Sequence, residues 1–417
     1  MGKPFNTKII VVIFFVFRFS VIYGQSDKTD RAADIRDSLN QCAKEANERD
    51  IIDLYRKVFR KKPPVEKCEP GKRAGKLQMA VIPAAGFSLI TRFAVVIAAN
   101  GAFYTDNEAR TKLSSVNTSI SYTQNNQIIF PILSNIWTPG NKLNLVGDWR
   151  YYRYPEYTYG LGGHTSVAKN SDLLQYNNII IREAVLKEIG HSKYLGLAYN
   201  LNYHWGVSEA GPSDGQPSDF SKYGISRRSV SSGLGVMALY DSRKNSINPS
   251  DASYASIIFI PNFTFLGSDH NYRSLTIDLR KYITPGNSDN VLAFWSYNWF
   301  TFNGNAPYLD LPSTGWDAYS NMGRGYIQSR FRGKNLLYLE TEYRFKITRH
   351  GLLGGVVFAN AQSVTDWPSN KFTTVYPAVG TGLRIKFNKH SNTNLSIDYG
   401  FGLNGSNGIF INLGEVF

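Results

Sequence analysis

An arginine and two glutamates in the last third of the chain have the types and spacing to form a specific ion pair. Arg324 lies in a long segment, 303–334, that is rich in Gly, Pro, Asn and Ser. Glu340 and Glu342 follow where charged and apolar residues alternate, so both share one face of a predicted strand. A guanidinium on a loop can fold back and bind carboxylates through paired hydrogen bonds. We therefore expect Arg324 to pair with Glu340 or Glu342, with Arg344 on the same face as a competitor.

Residues that could support catalysis or metal binding occur without a recognisable pattern. The sequence contains no GxSxG nucleophile motif and no phosphate-binding P-loop. The histidines lack metal-ligand spacing; they are His164, His191, His204, His270, His350 and His390. The sequence therefore predicts a protein that is not an enzyme and that needs no metal and no cofactor.

The first residues resemble a secretory signal peptide. Positions 1–24 combine the positive charges of Lys3 and Lys8 with an apolar run, 9–17, that is too short to span a membrane. Their removal takes away these two lysines and Arg18, so the net charge becomes +14 − 3 = +11. Arg and Lys are scattered through the predicted strands and their rims, and no recognised nucleic-acid motif accompanies them, so we do not expect nucleic-acid binding.

The segment 25–75 differs in composition from everything that follows it. It is highly charged, has helical spacing of its apolar residues, and contains the only two cysteines, Cys42 and Cys68. Export favours a disulfide between them, with two free thiols as the alternative. We expect one or two short helices that either plug the following domain or lie against its mouth.

From residue 76 to residue 417 the sequence alternates between apolar and polar residues in segments bounded by turn residues. We predict sixteen β-strands, an even number, as a closed bacterial membrane barrel requires. The predicted strands are 76–84, 91–104, 113–124, 127–136, 141–153, 178–190, 193–206, 231–241, 254–266, 271–284, 289–303, 335–347, 351–360, 374–387, 393–402 and 408–416.

The connections between these strands fall into two classes of length. With the N-terminus on the inner side, the long connections all follow odd-numbered strands; they are 154–177, 207–230, 304–334 and 361–373. The connections after even-numbered strands are mostly short, with 242–253 as the exception, and long outer loops with short inner turns are typical of outer-membrane barrels. No segment after the signal approaches the length of an apolar membrane helix. The predicted fold is therefore all-β: a sixteen-stranded antiparallel transmembrane barrel with a short helical N-terminal segment.

The loop after the eleventh predicted strand carries the tetrapeptide Gly323-Arg324-Gly325-Tyr326. This tetrapeptide resembles the (V/I)RG(F/Y) tip of the sixth extracellular loop in BamA/TamA-type barrels, the bacterial surface antigen family. The resemblance extends over about 76–417. It implies that the loop enters the barrel and is held there by Arg324.

In that family, acidic residues of the twelfth and thirteenth strands hold the loop arginine. Glu340 and Glu342 match the twelfth-strand acids. In the thirteenth strand, Asn360 stands where the family has an aspartate, which shifts more of the expected anchoring to the two glutamates. The expected lumen partners of the loop are thus Glu340, Glu342 and Asn360.

Both ends of the predicted barrel also resemble this family. The last strand places Ile411, Leu413 and Phe417 at alternate positions on one face, as in the C-terminal assembly signal of outer-membrane barrels. The first strand is short and contains Pro83, which cannot donate to a strand ladder. The resemblance implies a weak seam there that opens sideways; the alternative is that Pro83 merely ends a strand. No periplasmic POTRA domains are expected before the barrel.

The resemblance implies a function in the outer membrane of a Gram-negative cell. We expect the protein to assist insertion or translocation of proteins or lipids. The alternatives are a passive channel preferring anions and a structural subunit of an outer-membrane complex. The expected partners are outer-membrane lipids, the outer-membrane assembly machinery, client proteins and other outer-membrane subunits.

Overall fold

The computed structural model describes residues 47–59, 77–88, 92–107, 110–212, 215–224, 226–286 and 288–417. Sixteen long strands dominate it, together with short helices and two short extra strands, Glu156–Thr158 and Lys371–Phe372. The long strands are β1 (Gln78–Ser88), β2 (Arg92–Phe103), β3 (Ser114–Thr123), β4 (Ile128–Trp137), β5 (Leu143–Arg153), β6 (Asp172–Gly190), β7 (Lys193–Glu209), β8 (Arg228–Asp241), β9 (Ala252–Asn262), β10 (Tyr272–Ile283), β11 (Val291–Phe302), β12 (Asn335–Lys346), β13 (Leu353–Asp366), β14 (Tyr376–Asn388), β15 (Thr393–Gly402) and β16 (Asn407–Leu413).

Each long strand pairs antiparallel with the next one along the chain, from β1 through to β16. Cα atoms of β1 and β16 come within 8 Å of each other, so the curved sheet brings its two ends together. Among the described residues, however, no ladder of paired residues joins β1 to β16. The prediction of sixteen antiparallel strands is confirmed.

The two faces of the sheet differ in polarity as the alternation predicts. Outward positions of β12 such as Leu337 and Leu339 are 37% and 59% exposed, whereas Glu340 and Glu342 on the inward face are buried. The same pattern recurs around the sheet, with exposed aliphatic side chains outside and polar side chains inside. Exposed outward examples are Val95, Ile97, Ile120, Leu197, Val236, Ile257, Val357, Val379 and Ile411.

Several strand boundaries differ from the predictions, and three of these differences bear on the seam and the plug. The predicted short first strand is wrong, because β1 has eleven residues and pairs with β2 along its whole length. β13 continues to Asp366 instead of ending at Asn360, since its later residues still pair with the start of β12. β16 ends at Leu413 because Gly414 adopts a positive φ of 110° that turns the chain.

The two ends of the sheet carry different connections. One end, here called the loop end, carries the long connections, including 303–334. The other end, here called the turn end, carries mostly short ones, such as that between β12 and β13. Helix α1 (Ile51–Val58) lies at the turn end, where Asn47 and Arg49 just before it bond to His350 in this turn.

The remaining N-terminal predictions lie outside the described residues. These are the signal peptide 1–24, the cysteines Cys42 and Cys68, and most of the segment 25–75. Within the described ranges, no helix is both long enough and apolar enough to cross a membrane.

Candidate functional site

The connection 303–334 between β11 and β12, called here the plug loop, folds back into the interior of the sheet. Polar and charged side chains along it are buried rather than solvated. They include Asp310, Ser313, Thr314, Asp317, Asn321, Arg324, Ser329 and Arg332. A loop that buries this many polar groups must find partners for them on the inward faces of the strands.

Arg324 at the tip of the plug loop contacts carboxylates from two parts of the sheet. Its Nη2 donates to both Glu340 and Glu342 of β12. Its Nη1 donates to Oδ2 of Asp398 on β15 at 2.5 Å. The guanidinium also lies over the ring of Phe358, 3.7 Å from its centroid. All of these side chains are buried, so the charged hydrogen bonds are shielded from water.

Two further arginines connect this ion pair to the end of the chain. Arg344 Nε lies 2.6 Å from Oε1 of Glu342, so it shares this glutamate with Arg324. Arg384 Nη1 lies 2.5 Å from Oδ1 of Asp398, and its Nε lies 2.7 Å from Oε2 of Glu415. The resulting anchor cluster comprises Arg324, Arg344, Arg384, Glu340, Glu342, Asp398 and Glu415. The positive charges of its three arginines nearly balance the negative charges of its four carboxylates.

Glycines allow the loop tip to approach the sheet closely. Gly325 has a φ of +104°, a conformation that other residues rarely adopt. A Cβ on Gly400 of β15 would lie 2.6 Å from the backbone nitrogen of Gly325. A Cβ on Gly402 would likewise lie 2.6 Å from the Tyr326 ring. The loop tip thus packs directly on bare backbone of β15.

Neutral side chains fix the rest of the tip. Asn360 Nδ2 donates to the carbonyl oxygen of Arg324 at 2.9 Å. Gln362, also on β13, accepts from Thr314 Oγ1 at 2.7 Å. Tyr326 Oη donates to the carbonyl of Pro377 at 2.7 Å. The Asn360 side chain therefore binds the backbone of the plug loop and not the Arg324 guanidinium. Asn360 stands where the family has an aspartate, and here Asp398 of β15 provides a carboxylate to the guanidinium instead.

The last residues of the chain also enter the interior, which corrects one expectation. The alternation predicts Phe417 on the same face as Ile411 and Leu413, but Phe417 is buried and stacks on Trp295 with ring centroids 5.2 Å apart. Ile411 remains on the outward face and is 51% exposed. The physical reason is the turn at Gly414, which redirects the chain inward.

This inward segment, 414–417, bridges β12 and the plug loop. Arg344 Nη2 donates to the backbone oxygen of Phe417 at 2.9 Å. Asn321 of the plug loop donates to the carbonyl of Val416 at 2.9 Å. The segment therefore contacts both the anchor cluster and the loop that this cluster holds.

Asp310, in the first half of the plug loop, makes a second attachment to the sheet. It accepts hydrogen bonds from Asn202 on β7 and Ser231 on β8. His204 Nδ1 lies 3.8 Å from its Oδ1. Burial raises the pKa of Asp310 to about 7, because the charged form loses its hydration.

The proposed seam residue Pro83 lies in the middle of β1. It is exposed and stands opposite Ile97 of β2. β1 is thus well paired on its β2 side. The side of β1 that approaches β16 lacks such a ladder among the described residues.

A cavity of about 350 Å³ remains beside the plug loop, on the side of β3 to β11. Its described lining has more acidic than basic inward side chains. The acids are Asp148, Asp241, Asp278, Asp310, Asp317 and Glu415, and the bases are Arg182, Arg243 and Arg280. Arg243 and Arg280 each form a two-pronged ion pair with the aspartate two residues earlier. No cluster of His, Cys, Asp or Glu suited to a metal ion occurs in the described ranges.

Sequence reasoning missed Asp398, Arg384, Glu415 and the tip-facing glycines. The sequence does contain one indication of this contact. Asp398, Gly400 and Gly402 share one face of β15, and an acid followed by two glycines on one face indicates that another segment packs closely on that strand. Nothing in the sequence pairs this strand with residue 324. That pairing depends on a contact 74 residues apart.

Inward polar residues, an outward apolar band and a long loop anchored inside together define an outer-membrane type of β-barrel. The family model described as the Omp85 superfamily domain matches residues 99–414. This match covers most of the chain, so the protein belongs to the Omp85 superfamily. Members of this superfamily are outer-membrane transporters or insertases of Gram-negative bacteria rather than enzymes.

Solved structures give a consistent comparison at the level of the fold. BamA from Haemophilus ducreyi, in a form lacking POTRA domains 1-3, matches with a TM-score of 0.50 and 13% identity, over 81% of this chain and 74% of that one. CdiB from Acinetobacter baumannii matches with a TM-score of 0.50 and 12% identity, over 82% of this chain and 66% of that one. CdiB from Escherichia coli matches with a TM-score of 0.50 and 10% identity, over 81% of this chain and 60% of that one. No curated protein matches the sequence.

Proposed function

We propose that this protein resides in the outer membrane and assists client proteins or lipids to insert into that membrane through the seam between β1 and β16. The proposal rests on a difference between two possible routes for a client, the barrel interior and the seam between β1 and β16. The interior is occupied by an anchored plug loop, whereas the β1–β16 contact lacks a ladder among the described residues. A client would therefore meet less resistance at the seam than in the interior.

The anchor cluster has a defined role in this proposal. Arg324 ties the plug loop to β12 and β15, and Arg384 with Glu415 ties β14 to the segment after β16. The seam-forming end of the sheet is thus connected to the loop through buried ion pairs. A displacement of the strands at the seam would therefore be transmitted to the plug loop, and a displacement of the plug loop would be transmitted to the seam.

The second candidate, a passive channel preferring anions, has less support. The remaining cavity is lined by more carboxylates than arginines, so its field does not favour anions. The plug loop also fills the opposite part of the interior. A structural subunit of an outer-membrane complex remains the third candidate, because the outward face offers a wide apolar surface.

The test is a site-specific crosslink to a client of known identity. A photo-reactive amino acid replaces Val81 on β1 or Ile409 on β16, both exposed on the outward face. Membranes carrying these variants then receive an outer-membrane barrel protein arrested during its assembly. We expect adducts from both positions.

The matched control carries the same amino acid at Val236 on β8, equally outward but far from the seam in strand order. Adducts confined to the two seam positions support the proposal. Equal labelling of all three positions, or labelling of none, would refute insertion at the seam.

A further inference from the structure

Helix α1 (Ile51–Val58) is attached to the turn end through its polar side. Asp50 caps the helix by accepting from the Asp53 backbone at 2.8 Å. Lys389, in the turn between β14 and β15, donates from Nζ to Asp53 at 2.9 Å and from its backbone nitrogen to Asp50 at 3.2 Å. The capping residues therefore also serve as the docking contacts.

The residues just before α1 strengthen this attachment. Glu48 lies 3.9 Å from Lys346 Nζ of β12 and 3.7 Å from Lys386 Nζ of β14. The Arg49 backbone donates to the His350 carbonyl at 2.9 Å. The start of α1 is thus attached to two strands and two turns at the rim of the turn end.

The opposite side of α1 is apolar and largely exposed. Exposure is 49% for Leu54, 50% for Tyr55, 67% for Val58 and 60% for the following Phe59. At 3.6 residues per turn these side chains occupy about half of the helix circumference. A surface helix of a soluble protein turns such a face toward its own core, so α1 is inverted relative to that rule.

The rim that holds α1 adjoins the outward apolar band of the sheet. Ile347, directly after β12, is 56% exposed, and Leu383 on β14 is 38% exposed. In a membrane barrel, the outward band contacts lipid and its rim lies at the level of the headgroups. The contacts that hold α1 at this rim therefore keep the helix at the level of the headgroups of the leaflet at the turn end.

The charge of this region favours phospholipid over a neutral partner. Arg56 and Lys57 lie in the last turn of α1. The sequence continues with Arg60, Lys61 and Lys62, and no acidic residue occurs from 54 to 62. Basic side chains beside an apolar helix face are the features of helices that lie in a lipid interface.

We propose that α1 is an interfacial anchor, with its apolar face in the phospholipid leaflet at the turn end and its basic residues on the lipid phosphates. The occupant of the face is the leaflet itself, not a partner protein. This proposal rests on the proposed membrane location but not on client insertion. By holding Glu48 in place, the anchor would also fix the ends of the strands that carry Arg344 and Arg384.

The test measures the depth of single nitroxide labels in the full chain, with Cys42 and Cys68 replaced by Ser. Labels at Leu54, Val58 and Lys57 are compared in vesicles of phosphatidylethanolamine and phosphatidylglycerol. We expect the first two to be accessible to oxygen and shielded from a water-soluble nickel chelate, and Lys57 to be accessible to nickel. Nickel access at Val58, or shielding from both agents as in a protein contact, would overturn the proposal.

A second measurement leaves the cysteines unaltered. A photo-reactive amino acid at Val58 is expected to form adducts with phospholipid, and adducts with protein alone would overturn the proposal. This readout is independent of client insertion. A protein that inserts no client yet shows lipid adducts at Val58 refutes only the proposed function.

The role of charge is tested by Arg56→Glu with Lys57→Glu. We expect the Val58 label to lose several-fold oxygen access in the anionic vesicles. Arg227→Glu, an exposed charge change at the loop end, is the matched control and should leave the label unchanged. Equal depth in both variants would overturn the assignment of these residues to lipid phosphates.

Discussion

At the scale of single residues, the anchor cluster is a case where buried charges stabilise only as a complete set. Glu342 has Arg344 as a second cation within 2.6 Å, and Asp398 has Arg384 within 2.5 Å. Glu340, in contrast, pairs only with Arg324 among the described ion pairs and otherwise accepts from the Tyr338 hydroxyl. Loss of Arg324 therefore leaves one specific carboxylate buried without a cation.

This asymmetry predicts which second change rescues Arg324→Ala. We expect Arg324→Ala to lower the free energy of unfolding in micelles by about 3–5 kcal/mol, the usual effect of leaving a buried charge unpaired. Adding Glu340→Gln should restore more stability than adding Glu342→Gln. Urea unfolding of the single and double variants measures both effects.

Arg330→Ala is the matched control for this cycle. Arg330 lies in the same loop but bonds to Thr165 without a described acidic partner, so its loss should matter less. Strictly additive effects of Arg324→Ala and Glu340→Gln would mean that the two side chains do not interact in solution.

Asp310 predicts a pH dependence with a definite sign. Its folded pKa of about 7 exceeds the unfolded value of 3.8, so its protonated form favours the folded loop. The contribution is complete below pH 4 and decreases as the pH rises to 7, by at most about 4 kcal/mol. Proteolysis of the plug loop at successive pH values should therefore accelerate over this range in wild type and much less in Asp310→Asn. Identical profiles for the two proteins would contradict this assignment.

At the scale of elements, the inward segment 414–417 acts as a packing unit rather than as the end of a strand. Gly414 turns it, Glu415 binds Arg384, and Phe417 stacks on Trp295. Its contacts with Arg344 and Asn321 connect the last strand to the plug loop.

Truncation of Phe417 should therefore destabilise the folded barrel itself. We expect Phe417→Ala to lower the free energy of unfolding by about 3–5 kcal/mol, as for other buried phenylalanines. Phe265→Ala, at a turn position that is 78% exposed, is the control and should have little effect. Equal unfolding midpoints for both variants would show that the inward packing of Phe417 does not hold in solution.

The elements were largely predictable, and the exceptions have physical reasons. Period-2 alternation located all sixteen strands because each strand must separate an apolar outside from a polar inside. The inward turn at Gly414 was missed because the alternation of apolar and polar residues continues past this glycine, whereas its positive φ turns the chain. The attachment of α1 through its polar side was missed because amphipathic patterning usually places the apolar side on the protein.

At the scale of the whole molecule, the proposed location has a simple signature. Continuous antiparallel pairing from β1 to β16 and an outward apolar band predict a barrel that survives SDS at room temperature. We expect the protein in the outer-membrane fraction, with unheated samples migrating faster than boiled ones. Recovery as a soluble periplasmic protein with no heat-dependent shift would rule out the proposed location.

The central claim is that the plug loop closes the interior and that Arg324 holds it there. Single-channel recording in planar bilayers tests this claim most directly, by comparing wild type with Arg324→Ala and with the Arg330→Ala control. We predict small, flickering conductance for wild type and the control, and a larger, steadier conductance for Arg324→Ala, because the released loop unblocks the interior. A large, steady conductance in wild type that Arg324→Ala leaves unchanged would contradict the account.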